Sequence, residues 1–69
     1  MSVARVTEIS STSTQGFEDA INKGITRATE TLRNVQSAWV KEQSVGVENG
    51  SITSYRVNML VTFVLEDPS

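Results

Sequence analysis

The sequence predicts an α+β fold in β-α-β-β order, a three-stranded antiparallel sheet partly wrapped around one helix. Residues 15–33 repeat apolar side chains at intervals of three and four, which is the spacing of one helix face. Residues 55–65 instead alternate strictly: Tyr55, Val57, Met59, Val61, Phe63 and Leu65 all occupy odd positions, the period of a half-buried strand. Upstream of that run, Asn49-Gly50 separates two strand-like stretches. This dipeptide supplies the positive φ that both central residues of a type I′ hairpin turn require.

The first strand is expected over residues 2–10, "SVARVTEIS", where Val3, Arg5, Thr7 and Ile9 alternate with Ala4, Val6 and Glu8. Its β-branched content suits a pleated surface. A Ser/Thr cluster follows. Thr12 and Gln15 match a capping box, with Ser13 as the rival N-cap. Glu18 and Asp19 then fall where the positive end of the helix dipole favours negative charge.

The helix is expected from Gln15 to Arg33, roughly 28 Å long at about 1.5 Å per residue. Phe17, Ala20, Ile21, Ile25, Ala28 and Leu32 form its apolar stripe, and Asp19–Lys23 and Arg27–Glu30 suit surface ion pairs. Gly24 also lies on the stripe, although glycine costs about 1 kcal/mol in a helix interior. Close backbone approach to the sheet is the expected compensation.

The second strand is expected from about Gln36 to Glu48. Ala38 and Val40 would face the helix, leaving Ser37, Trp39, Lys41 and Gln43 on the opposite face. Val45 and Val47 continue that odd parity unless a bulge intervenes. Trp39 then shares a face with Arg56 and Leu60 of the last strand. The hairpin strands would run about 40 Å at about 3.3 Å per residue. One helix cannot cover both sides of such a sheet, so Trp39, Leu60, Val64, Val45 and Val47 are expected on an uncovered face. An apolar patch of that kind marks an interface.

The 69 residues form one expected domain, 1–69, without cysteine or histidine. Disulfides and imidazole or thiolate zinc sites are therefore excluded, and small scaffolds that lack such staples commonly assemble. A homo-oligomer is the expected state. The six basic residues are dispersed against eight acidic ones, net charge −2, which provides no footprint for nucleic acid. No apolar run approaches a membrane span and the N-terminus has no signal-peptide core, so a cytoplasmic location is expected. No carboxylate pair is placed for acid–base work, and without histidine a hydrolase triad lacks its usual base, so no enzyme is expected.

Two readings stand for the single tryptophan: packing between subunits, or stacking on a flat ligand. Arg56 likewise suits either an ion pair with Glu42 or Glu48 of a neighbour or a ligand anchor. Lys41 and Gln43 lie on the same expected face, as solvated or interface residues or as further contacts. Glu66 and Asp67 read as a solvated tail, or as part of a calcium site completed by symmetry mates.

The segments "TST", "FEDAINKGITRATETLRNV", "WVKEQ", "ITSYRV" and "VTFVLED", in this order, make the whole chain resemble a dodecin. The resemblance implies a hollow homododecamer. It also implies a storage or photoprotective protein that sequesters riboflavin, FMN or a similar flat ligand between subunits. Three positions depart from the flavin-binding pattern. Ser37 stands where an aromatic residue, usually tryptophan, is found; Arg56 stands in place of a glutamine; Ser11 stands in place of a glycine. Trp39, Arg56, Ser37 and Gln43 are the expected ligand contacts. Arginine after the tyrosine, without an aromatic at 37, also resembles a dodecin subgroup for which calcium binding has been described. The alternative is thus an assembly of structural or calcium-binding role without flavin.

Overall fold

A computed structural model describes residues 3–65. Strand β1 (Val3–Ser13), helix α1 (Phe17–Thr31), strand β2 (Val35–Glu48) and strand β3 (Ser51–Leu65) follow in the expected order. β3 is central, with β1 and β2 antiparallel on its two sides. The strict alternation of β3 has its expected consequence: Val57, Met59 and Val61 lose all solvent exposure beneath α1. The helix meets them with a stripe of small residues one turn apart, Ala20, Gly24 and Ala28, all buried. A Cβ added at Gly24 would lie 2.6 Å from Met59 Cε and 3.0 Å from Ser11 Cβ. Glycine is there because the backbone itself touches the sheet. Phe17 closes one end of this core edge-on against Tyr55, with ring centroids 5.2 Å apart.

The helix is shorter than expected at both ends, 15 residues rather than nineteen. Thr12 is not a cap, because β1 runs on to Ser13 and Thr12 pairs with Arg56 inside the sheet. Gly16 is the N-cap and has no side-chain cap bond. Ser13 serves the junction differently: its hydroxyl accepts from the Gln15 N–H at 2.9 Å and donates to Asp19 Oδ2 at 2.6 Å. At the other end Leu32 turns extended, and Asn34 adopts φ 60°. The Asn34 side-chain amide donates to the Val64 carbonyl, and the Val64 N–H donates back to the Asn34 carbonyl at 3.0 Å. This pair of bonds docks the turn on β3 and starts β2 at Val35.

Asn49 (φ 50°) and Gly50 (φ 76°) form the hairpin turn, as their sequence requires. The register along β2 is less regular than its alternation implies, with shifts between Val35 and Ser37, Val40 and Glu42, and Gly46 and Val47. The first two shifts insert one residue each in β2, Gln36 and Lys41, and reverse which side its next side chain faces, whereas the third inserts Thr53 in β3 and leaves the alternation of β2 unbroken. Val45 therefore stands opposite Tyr55 on the helix side of the sheet, not on the open side, and Val47, two residues on with nothing inserted in β2 between them, keeps that side opposite Ile52. Ala38 does share the helix side with Val61, but it is exposed because α1 lies mainly over β1 and β3.

The helix spans only about 22 Å at about 1.5 Å per residue. The molecule measures 57 × 19 × 13 Å. Most of the hairpin consequently has no helix over it, and one whole face of the sheet is bare.

Candidate functional site

The bare face can be read row by row from the strand register. Trp39 stands opposite Leu60, whose other neighbour is Glu8. Ser37 stands opposite Thr62, flanked by Val6. Arg56 lies between Ser44 and Thr12, and in the row between it and Leu60, Asn58 lies between Glu42 and Ser10. The indole of Trp39 is 69% exposed, which is far too open for a core residue. With Leu60 and the exposed Val6 it forms an apolar shelf.

Three of the four residues singled out from sequence thus share the open face. Gln43 does not. It stands opposite Val57 on the helix side, because the register shift between Val40 and Glu42 reverses the parity beyond Lys41. Arg56 is exposed and has no ion-pair partner among the described residues. It lies four residues along β3 from Leu60, about 13 Å at about 3.3 Å per residue. One protomer therefore does not bring Arg56 and Trp39 to the same small contact area.

Two polar contacts occupy the middle of the face, and neither was anticipated from the sequence. Lys41 Nζ lies 3.7 Å from Glu8 Oε2, across the full width of the sheet. The Asn58 side-chain amide donates to Glu42 Oε1 at 2.9 Å. Both depend on the shift at Lys41, which has no distinctive residue type to announce it.

On the opposite side of the sheet, a groove of about 420 Å³ runs between α1 and β1, lined by Ile9, Ser11, Gly24, Ala28 and Leu32 with Lys23 at its rim. It contains none of the expected contact residues. The carboxyl of Asp19, at the start of α1, is shifted by its neighbours. The Ser13 hydroxyl and then the Lys23 ammonium, 3.1 Å away, hold its carboxyl below the usual value, against a smaller opposing effect of burial.

The Trp39 shelf presents one apolar face and, among the described residues, no second surface opposite it. A calcium ion fits less well, since it takes six to eight oxygens. Among the described residues, no three acidic or other ligating side chains come together to hold one. The expected contribution of Glu66 and Asp67 lies outside the described residues. No described helix is long and apolar enough to cross a membrane.

Comparison with known proteins bears on the same residues. A family model described as Dodecin matches residues 3–66. The calcium dodecin of Mycobacterium tuberculosis is 32% identical over 63 residues, covering 91% of this chain and 89% of that protein. Among solved structures, a dodecin from Streptomyces davaonensis superposes with a TM-score of 0.90 at 38% identity, covering 96% of this chain and 97% of that one. A variant of the Thermus thermophilus dodecin gives a TM-score of 0.91 at 33% identity, covering 97% of this chain and 100% of its own. With the β-α-β-β order, the central β3 and the near-complete coverage in agreement, this chain belongs to the dodecin family.

Proposed function

We propose that the protein is a non-catalytic binding and storage protein that assembles as a hollow homododecamer, each copy one domain, and sequesters a flavin such as riboflavin or FMN. The observation that carries this reading is the exposed indole of Trp39 on an apolar shelf with Leu60 and Val6. Offset stacking of a planar ring on that indole would contribute about 0.5–1.5 kcal/mol beyond burial. Ser37 borders the shelf. Arg56 acts on a ligand stacked on a neighbouring copy, because its own Trp39 is too far along the strand. It can donate to a ring carbonyl but has no acceptor for a ring N–H. Gln43 has no place in this site. The test is a titration of ligand-free protein with riboflavin and FMN followed by flavin fluorescence. Quenching at micromolar protein is expected, and its absence with both flavins removes the proposal.

A second reading has its own support, the 32% identity to a calcium dodecin. In it the assembly binds calcium or is purely structural. The carboxylates must then come from several copies. Calorimetry with calcium on chelator-treated protein separates the readings, since heat without flavin quenching favours the metal.

A further inference from the structure

Side chains on the two edge strands of a three-stranded sheet seldom touch, because the central strand keeps their backbones about 9–10 Å apart. Lys41 and Glu8 do touch, at 3.7 Å. Lys41 is the residue inserted at the register shift and has no partner on β3. Its side chain leans over β3 to reach Glu8 on β1. The bridge starts on β2 beside the Glu42–Asn58 row and ends on β1 at Glu8, in the row of Trp39 and Leu60 itself. A planar molecule lying on Trp39 therefore meets Lys41 of the same protomer, two residues away, before it approaches that protomer's Arg56.

The bridge is loose. Its side chains are 48% and 49% exposed, and exposed pairs of this kind contribute little to stability. The ammonium can therefore exchange Glu8 for another anion at little cost, and a phosphate offers a compact charge with several acceptors. Glu8 would repel that same phosphate.

We propose that Lys41 selects a phosphate-bearing planar aromatic ligand stacked on Trp39, and that Glu8 competes with the phosphate for it. This rests on the flavin reading and adds the charge preference of the site. The test uses the assembled protein with FMN and riboflavin as probes, at low and high salt. FMN binds more tightly than riboflavin, and the difference shrinks with salt as exposed charges are screened. Lys41→Gln weakens FMN by about tenfold, as expected for a lost charge-assisted contact, and leaves riboflavin unchanged. Glu8→Gln strengthens FMN, because the competing carboxylate is gone. Arg56→Gln weakens both flavins alike.

The opposite signs at positions 41 and 8 separate ligand selection from a structural bridge, whose loss would move both variants the same way. Both side chains are exposed, so light scattering should find the variants still assembled. The assignment is overturned if the two flavins bind equally, if both variants weaken FMN, or if Arg56→Gln alone removes the FMN preference. Riboflavin binding without an FMN preference overturns only the role of Lys41. Failure of both flavins overturns the flavin reading and this inference together.

Discussion

Asp19 is where a single side chain replaces a conventional cap. It is the third residue of α1, where the dipole favours a carboxylate, and it takes the Ser13 hydroxyl at 2.6 Å and the Lys23 ammonium at 3.1 Å. Both partners favour the charged form, so its pKa in the folded protein lies below the unfolded value of 3.8. Such a group adds stability that is complete above the unfolded value and lost as pH falls through the lower folded one. Stability should therefore be insensitive to Asp19 from neutrality down to about pH 5 and decline below about pH 4. Asp19→Asn should be less stable at pH 7 and show a flatter acid limb in urea midpoints measured from pH 7 to 2. Ser13→Ala should remove more of that limb than Lys23→Met, because the serine is the larger cause. Parallel acid limbs in Asp19→Asn and the parent would refute the assignment. Ser13 was legible only as a rival cap: spacing reveals that a hydroxyl precedes a helix, not that the strand before it runs on far enough to carry the hydroxyl to Asp19.

The elements differ in how completely they could be read. β3 was legible throughout, because strict alternation leaves one solution and any slip would expose the whole apolar set. The turn at Asn49-Gly50 was legible because few residues accept both positive φ values. Gly50 has nothing within 4 Å of an added Cβ, so Gly50→Ala isolates the backbone term and should destabilise by about 1–2 kcal/mol. Gly24 was legible as a contradiction, a poor helix former on the buried stripe. Gly24→Ala gains about 1 kcal/mol of helix propensity but presses a methyl against Met59 and Ser11, for a net change near zero. Gly24→Val adds bulk that the buried Met59 cannot yield to, and should lose about 2–3 kcal/mol in denaturant melts. A valine variant as stable as the parent would mean that α1 does not sit this close to the sheet. β2 was the element least open to reading. The two shifts that lie in β2 itself fall at the ordinary residues Gln36 and Lys41, so parity carried Trp39 and Ser37 to the correct face but misplaced Gln43, Val45 and Val47.

The whole molecule is more elongated than a compact folding unit of its length. A compact chain of this length has a radius of gyration of about 11 Å, whereas this one has 14.5 Å. The fully or nearly buried apolar core is Ala20, Ala28, Val57, Met59 and Val61, while Val47, Ile52 and Trp39 are more than half exposed. Disulfides are absent, and contacts between copies would remove this surface from water. If assembly supplies that burial, the unfolding midpoint must rise with protein concentration, because dissociation and unfolding are coupled by mass action. Trp39, the one tryptophan, reports the same event: its emission should lie to the blue in the assembly and move to the red on dilution. Trp39→Ala should weaken association by about 2 kcal/mol or more if the indole is a central interface anchor. A ligand stacked on the same indole should raise the midpoint further and reduce its concentration dependence. Light scattering across the dilution series fixes the mass at each point. A concentration-independent midpoint for a folded species of 7.5 kDa would mean that the bare face stays bare, and neither a closed shell nor a ligand held between copies could then exist.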